Sequence, residues 1–455
     1  MRYWGDMNSA APAQFIENWN DLARPAAPSR PVQVHDETLR DGLQSPSVTQ
    51  PTLPERLELL HLMHRIGVDS VDLGMPVTGP VAARQVRRLA EEIRTERLGL
   101  SASCAARTVR ADIAAVARAA QDSGLPMWVM AFVGTSPIRL YVEGWSAAKV
   151  LADVRDAVAF ARREGLRVCL VTEDTTRSKL DMTLDVYAAG LVEGAERVCV
   201  CDTVGHATPW GAAALVTAVR AGLADRGFPD VGIDWHGHND RGLAVANSLA
   251  AAQSGADRVH GSALGIGERA GNAALEQLLV NLDDIGWRSF DPAQLPRYCA
   301  LVARSCGVPI PANHPFFGAD VYRTATGVHA AAISKARESG DNWLAERVYA
   351  GIPAGRVGVR QRIEVGPGSG RANIVHWLRA HDIAADSPLV QRIRDAVAGA
   401  TRVLSDAELL AIVARAEPAG EQSRQREGTR DGGVGGGPRP GGAGRLAADG
   451  NGAGG

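Results

Sequence analysis

The sequence predicts a (β/α)8 barrel that is followed by a smaller, mainly helical subdomain and a glycine-rich tail. Short apolar runs alternate with amphipathic segments eight times between residues 30 and 285, and about 255 residues is a usual length for such a barrel. Polar residues gather just after the runs, where barrel active sites lie. An open, doubly wound sheet is the structural alternative. It would need a glycine-rich phosphate turn after its first strand, and the sequence has none there.

Each candidate strand is a short run of mainly apolar residues. The eight runs lie at residues 32–35, 70–73, 98–103, 127–133, 167–172, 197–202, 232–236 and 258–262. Between them, apolar residues recur at three- and four-residue spacing, and glycine stands near the end of several of these segments, as is typical of helices. The alternation therefore predicts parallel strands whose carboxyl ends meet at one rim.

The barrel is predicted to span residues 29–285, between an N-terminal extension at 1–28 and a C-terminal subdomain at 286–415. The hydrophobic fraction of 45% is enough to fill cores of this size. From 416 to 455 the sequence is dominated by glycine and has few large aliphatic residues. Such a segment buries too little apolar surface to offset its ordering entropy, and we predict that this tail is disordered.

The composition excludes several classes of function. The chain has 49 basic and 51 acidic residues, a net charge of −2 and no long run of one sign, so it resembles neither a nucleic-acid-binding nor a membrane-surface protein. Its N-terminus lacks the features of a secretory signal, and no apolar run has transmembrane length. The six cysteines are scattered without a CxxC pair, which favours reduced thiols. We expect a cytoplasmic protein.

A His-x-His pair ends the seventh candidate strand. Because side chains alternate along a strand, His236 and His238 point the same way, about 6–7 Å apart. Two neutral imidazoles at this separation can bind one metal ion. Such a pair alone is more often a pair of partly exposed strand residues, and it is the position at the predicted rim that favours a metal site.

Other polar residues also fall at this rim. Any one of them could be a helix cap or a solvated loop residue, but capping does not explain why so many converge. They are Arg40, Asp41, Asp72, Glu173, Asp174, Thr203, Glu268, Arg269 and Asn272.

Six motifs resemble, in order and spacing, the metal-dependent acyl-CoA synthase and lyase barrels. This family contains the 2-isopropylmalate, homocitrate and citramalate synthases and the hydroxymethylglutaryl-CoA lyases. The resemblance covers residues 31–378. The motifs are HDETLRDGLQ (35–44), GTSPIR (134–139), TEDTTRS (172–178), CDTVGHATP (201–209), HGHNDRGLAVAN (236–247) and GIGERAGNAALE (265–276).

The resemblance implies one divalent metal and a set of residues around it. Its implied ligands are carboxylate, imidazole and amide groups, and such nitrogen and oxygen ligands do not discriminate among Zn²⁺, Mn²⁺ and Mg²⁺. Arg40 would stabilise the negative charge that develops on a keto oxygen of the substrate, and Glu173 would be a second catalytic residue near Arg40. The implied metal ligands are Asp41, His236, His238 and Asn272. The implied substrate-binding residues are Arg40, Gln44, Asp72, Thr203 and Glu268.

The loop after the eighth candidate strand favours a synthase. Lyases of this family carry a catalytic cysteine there, in a Gly-Gly-Cys-Pro loop, whereas residues 265–272 contain none. The resemblance therefore implies a Claisen condensation of acetyl-CoA with a metal-chelated 2-oxo acid. A lyase or aldolase on the same scaffold remains the alternative. A non-catalytic relative is disfavoured because the ligand set is retained, and only the two histidines and an aspartate suggest a non-haem iron oxygenase.

The C-terminal part adds a candidate base. Residues 325–330 (ATGVHA) resemble a synthase subdomain segment that reaches over the barrel, which implies that His329, with Tyr349, removes a methyl proton from acetyl-CoA. The resemblance also implies a homodimer. Asp72 and Met130 depart from the usual family residues, as do residues 77–80, and leave the 2-oxo acid open. The pattern is somewhat closer to 2-phosphinomethylmalate synthase.

Overall fold

The computed structural model describes residues 16–22, 28 and 31–415. The glycine-rich segment at 416–455, for which the sequence predicts disorder, lies outside these residues, as does most of the predicted N-terminal extension.

Eight parallel strands close into a barrel. Their order around the barrel is their order in the chain, and β8 pairs with β1, from Gln33 beside Arg258 to Asp36 beside Gly261. This closure confirms the predicted barrel and excludes an open sheet. The strands are β1 Gln33–Asp36, β2 Ser70–Asp72, β3 Ser101–Arg107, β4 Trp128–Gly134, β5 Arg167–Glu173, β6 Arg197–Asp202, β7 Gly232–Gly237 and β8 Arg258–Gly261.

Nine helices belong to the barrel layer in the described chain. They are α1 Leu53–Arg65, α2 Pro80–Thr95, α3 Arg110–Ser123, α4 Pro137–Glu143, α5 Ala147–Arg163, α6 Leu180–Val192, α7 Pro209–Asp225, α8 Ala244–Gln253 and α9 Leu275–Asp284. Local sequence sets where they begin: Thr208 accepts a hydrogen bond from the amide of Gly211 at the start of α7, with proline at the first helical position. Among the described residues, no helix is both long and apolar enough to cross a bilayer.

Strand β3 was predicted at residues 98–103 but is observed at Ser101–Arg107, a few residues later in the sequence. The prediction followed the large apolar residues Leu98 and Leu100, but these are buried in the loop before the strand. Apart from Arg107 at its end, the strand consists of serine, alanine and cysteine, of which Ala102, Cys104 and Ala106 are fully buried. Small residues suit a strand enclosed on both faces, although they give it a weak apolar signal.

The lower interior of the barrel is polar. Asp234 of β7 accepts hydrogen bonds from Arg197 of β6 (Nε to Oδ1, 2.8 Å) and Arg258 of β8 (Nε to Oδ2, 2.9 Å). Arg258 also donates to Ser70 of β2, and His260 Nε2 lies 3.2 Å from Asp234 Oδ2. Because each charge is paired, the desolvation cost of burying it is offset.

The core around the barrel extends beyond residue 285. Helix α10, Leu295–Cys306, packs into it, and the Tyr298 hydroxyl donates a hydrogen bond to Asp36 of β1. A separate apolar cluster that includes Trp377, Ile393 and Leu409 lies in the C-terminal part. The remaining elements are the parallel pair β9 Arg323–Thr324 and β10 Arg362–Ile363, and helices α11 Gly327–Glu338, α12 Asn342–Arg347, α13 Arg371–Ala380, α14 Ser387–Ala398 and α15 Asp406–Ala414.

Candidate metal and active site

A cavity of about 280 Å³ opens at the carboxyl ends of the barrel strands. Of the residues that the sequence assigned to the site, eight line it: Arg40, Asp41, Gln44, Glu173, Thr203, His236, His238 and Glu268. Apolar and thiol side chains line it too: Met75, Ala105, Met130, Phe132, Val171, Cys199 and Cys201. The strand ends thus bring together residues that are up to about half the chain apart.

Three potential ligand atoms meet at the polar side of the cavity. Asp41 Oδ2 lies 3.2 Å from His236 Nε2 and 3.4 Å from His238 Nε2, and the two Nε2 atoms are 3.3 Å apart. Ligand atoms at about 2.1 Å from one shared ion are separated by roughly 3.0 Å in octahedral and 3.4 Å in tetrahedral coordination. The three atoms already have the spacing that a divalent metal needs.

Asn272 supplies a candidate fourth ligand. Its Oδ1 is buried without a hydrogen-bond partner among the described residues, while its Nδ2 donates to the carbonyl of Ile266. A backbone bridge places Asn272 opposite His238. The loop reaches this position through a tight turn at Gly271, where φ is +84° and a Cβ would lie 1.9 Å from the Gly265 carbonyl oxygen. Asn272 does not line the cavity, but a buried amide oxygen without a partner, on a residue bridged to His238, fits a metal ligand.

The protonation states suit metal binding. Burial opposes ionisation of Asp41, but Arg40 and the two imidazoles hold its pKa well below the usual value, so the carboxylate is charged. Burial lowers the pKa of His236, and a neutral imidazole keeps a lone pair for a metal.

Arg40 is held by a buried carboxylate. Its Nε and Nη2 donate to Glu37 Oε2 at 2.9 and 2.6 Å, and Nη1 lies 3.6 Å from Asp41 Oδ2. Asp72 Oδ2 is 3.7 Å from Arg40 Nε, but Asp72 is fully buried and lies outside the cavity lining. Burial and the charge of Glu37 raise the pKa of Asp72 well above its usual value. The sequence analysis predicted that Asp72 contacts the substrate. In the structure, Asp72 instead lies behind Arg40 and away from the cavity.

Glu37 is a central residue that the sequence analysis missed. Its Oε1 lies 3.2 Å from His260 Nδ1, 3.5 Å from His35 Nε2 and 3.7 Å from His236 Nδ1. Burial opposes its ionisation, yet Arg40 and His260 bring its pKa well below the usual value. Its place two residues after His35, on the same side of the chain, was the available signal.

His35, Glu37 and His260 form a second close group of potential ligands. Glu37 and His260 line the cavity, whereas His35 is fully buried and does not. Asp41, His236 and His238 all line it. The open group is therefore the candidate reactive centre.

The remaining rim residues differ in how firmly they are held. Thr203 accepts a hydrogen bond from the amide of Asp174 at 2.8 Å, and Glu268 is largely exposed. Burial raises the pKa of Glu173, although Arg139, with Nε 3.8 Å from its Oε1, opposes the shift. Only Thr203 of these three predicted contacts has a fixed position from its own hydrogen bond.

His329 and Tyr349 lie in a different pocket. Their rings stack with centroids 3.8 Å apart and line a pocket of about 70 Å³ together with parts of α11 and of strand β9. Neither residue lines the barrel cavity of the same chain. The structure thus joins the two predicted partners to each other but not to the metal site.

Comparison with known proteins fits this architecture. Residues 31–297, more than half of the chain, match the sequence model of the family described as HMGL-like. The chain belongs to the HMGL-like family. An HMG-CoA lyase from Bacillus subtilis shares the fold, with a TM-score of 0.53 and 21% identity, over 63% of this chain and 97% of that one.

Two relatives are named as synthases. A homocitrate synthase from Methanopyrus kandleri is 33% identical over 84% of this chain and 91% of its own length. A probable 2-isopropylmalate synthase from the same organism is 37% identical over 75% of this chain, and the match spans 64% of that relative.

Proposed function

We propose that the protein condenses acetyl-CoA with a 2-oxo acid to give a 2-hydroxy acid and free CoA. The observation that carries the proposal is the group formed by Asp41, His236 and His238, spaced for one metal at an open cavity beside Arg40. The names of the homocitrate and 2-isopropylmalate synthases support the same reaction class.

Asp41, His236, His238 and Asn272 would hold the metal. When bound, a divalent cation supplies Lewis acidity toward the keto group of the 2-oxo acid. The Arg40 guanidinium would donate hydrogen bonds to the keto oxygen as negative charge develops there. Glu37 holds that guanidinium by two contacts and so limits its movement. Thr203 and Gln44, both on the cavity wall, would orient the substrate carboxylate.

His329 would take a proton from the methyl group of acetyl-CoA, with Tyr349 beside it. The resulting enolate carbon forms a bond to the keto carbon, and the alkoxide oxygen takes up a proton. Water then hydrolyses the thioester and releases CoA. Because His329 does not line the cavity of its own chain, we propose that it serves the barrel of a second copy in a homodimer.

A lyase reaction is disfavoured by the loop at 265–272, which has no cysteine. The six cysteines of the chain lie elsewhere, and the two that line the cavity, Cys199 and Cys201, stand on β6. The loop itself therefore supplies no thiol for the lyase mechanism.

A thiol-release assay tests the proposal. Metal-loaded protein is mixed with acetyl-CoA and, separately, with 3-methyl-2-oxobutanoate, 2-oxoglutarate, pyruvate, oxaloacetate or phosphonopyruvate. We expect CoA release that requires both a 2-oxo acid and the metal, and that stops after chelation. No release with any acid, together with cleavage of a 3-hydroxy-3-methyl acyl-CoA, would favour the lyase instead.

A further inference from the structure

The cavity has two chemically different sides. The end of β7 and the loops after β1, β7 and β8 carry the carboxylate, imidazole and amide groups of the candidate metal site. The opposite side, from β3 to β6, is formed by Ala105, Met130, Phe132, Val171, Cys199 and Cys201. Burial raises the pKa of the Cys199 thiol well above its usual value, so this side chain is uncharged at neutral pH.

Strand register makes this apolar side continuous. Ala105 of β3 lies beside Met130 of β4, while Phe132 of β4 lies beside Val171 of β5, which in turn lies beside Cys199 of β6. Residues two apart on one strand share a face, so all five reach the same side of the barrel interior. The result is a wall across four strands.

No cation stands on this wall among the described residues that line the cavity. The two arginines of the lining, Arg40 and Arg269, are paired elsewhere: Arg40 with Glu37, and Arg269 with Asp240 (Nε to Oδ1, 2.9 Å). Glu173, which ends β5 two residues after Val171, lines the cavity beside this wall, and the Arg139 guanidinium that faces it (Nε to Oε1, 3.8 Å) lies outside the lining. A second carboxylate or a phosphonate placed here would lose water without gaining a partner.

We infer that the 2-oxo acid carries an uncharged aliphatic side chain. The inference rests on the proposed condensation and narrows it: the keto and carboxylate groups face the metal side, and the side chain packs on the β3–β6 wall. Each buried methylene strengthens binding by about fourfold. A branched side chain such as that of 3-methyl-2-oxobutanoate therefore suits the wall better than the methyl group of pyruvate.

Two measurements test the inferred aliphatic side chain: the relative kcat/KM values for different 2-oxo acids, and the affinities with which these acids bind. For metal-loaded protein, we expect kcat/KM for 3-methyl-2-oxobutanoate to exceed that for pyruvate by roughly tenfold and that for 2-oxoglutarate or phosphonopyruvate by about a hundredfold. Calorimetric binding of the same acids, without acetyl-CoA, should follow the same order. Preference for 2-oxoglutarate or phosphonopyruvate would overturn the inference but not the condensation. Absence of CoA release with every acid would defeat the proposed function, and the binding order would still decide the side-chain class.

A charge placed on the wall gives a second test. Met130→Arg should shift the ratio of affinities toward 2-oxoglutarate by at least about tenfold, because the guanidinium supplies the missing partner. Val142→Arg is the matched control, since Val142 is exposed on α4, after the same strand, and does not line the cavity. It should leave the ratio unchanged. A folded Met130→Arg protein with the wild-type ratio would show that the side chain of the acid does not meet this wall.

Discussion

At the residue scale, the candidate metal site depends on the charge and spacing of a few buried groups. Asp41 is kept charged by Arg40 although burial opposes its ionisation, and burial keeps His236 neutral. The carboxylate oxygen and the imidazole nitrogens lie 3.2 to 3.4 Å apart, which is the spacing that one shared divalent ion needs.

The first prediction concerns the metal ligands. His238→Ala should weaken Co²⁺ binding severely, because it removes one of the few protein ligands, whereas His206→Ala should leave it unchanged. His206 is an exposed residue of the loop after β6 and contributes no ligand atom to the group. The visible absorption of bound Co²⁺ during titration gives both affinities. Equal affinities would show that the metal, if bound, lies elsewhere.

The second prediction is that Glu37 supports catalysis and metal binding through its contacts with Arg40 and His236. Glu37→Gln keeps the shape but removes the charge that fixes Arg40 and faces His236. Loss of such an outer partner typically costs about 10–100-fold in metal affinity or activity. We expect kcat and the affinity for Co²⁺ each to decrease by about 10- to 100-fold, while KM for the 2-oxo acid changes little.

Glu276→Gln is the control for burial alone. Glu276 is as deeply buried as Glu37, but its partners are His314 and the amide of Leu264. If the two substitutions lowered kcat and Co²⁺ affinity equally, Glu37 would have only a general structural role.

At the element scale, the sequence predicted strands best where the apolar signal was strong. Strand β6 was predicted at its observed bounds, Arg197–Asp202, because valine and cysteine form an uninterrupted buried run. Strand β3 was predicted too early in the sequence, because its small residues give a weaker hydrophobic signal than Leu98 and Leu100 just before it. Periodicity reports side-chain size and polarity, and a strand of small residues enclosed by larger neighbours escapes it.

The same limit applies to the site. Rim residues such as Asp41 and His238 follow from strand ends and motif resemblance. The position of Asp72 could not be predicted in this way. Asp72 lies within a strand, and the packing of its neighbours decides whether such a side chain faces the cavity or lies behind another residue. Here Arg40 takes the cavity side and Asp72 remains buried.

Strand β1 and helix α10 are joined by a buried carboxyl whose effect depends on pH. Asp36 accepts hydrogen bonds from the Thr38 amide and the Tyr298 hydroxyl, and burial raises its pKa to about 6. The unfolded value is about 3.9, so the folded state binds more protons between pH 4 and 6. Stability from this group is therefore greatest below pH 4, falls as the pH rises to 6 and is level above it.

Asp36→Asn should remove this dependence. The amide stays neutral at every pH, so the difference in unfolding free energy between wild type and variant should change by on the order of 2 kcal/mol between pH 4 and 7. Urea unfolding of the metal-free proteins at several pH values measures it. Two parallel stability profiles would show that Asp36 does not titrate in this window.

At the scale of the whole molecule, the C-terminal part is what the sequence predicted least well. Residues 325–330 indicated the candidate base, but not where the subdomain would place it. The structure stacks His329 on Tyr349 in a pocket apart from the barrel cavity. The position of one packed unit relative to another depends on contacts between distant surfaces, which local patterns do not record.

The homodimer proposal predicts complementation between two inactive variants. Asp41→Ala damages the barrel, and His329→Ala removes the base; each protein alone should lack activity. In a mixed dimer, the intact barrel of one chain meets the intact His329 of the other. Random pairing of equal amounts makes half of the dimers mixed, each with one complete site of two, so about a quarter of wild-type activity should return.

Co-expression with two different affinity tags isolates the mixed dimers, and their thiol-release activity should be about half that of the wild-type dimer, since one of the two sites is complete. Pairing Asp41→Ala with His238→Ala is the control. Both changes damage the barrel, so no complete site can form and activity should stay absent. If purified mixed dimers of the first pair were also inactive, His329 would have to act within its own chain. The subdomain would then need to move toward its own barrel, and the separate pocket would be the resting position of the base.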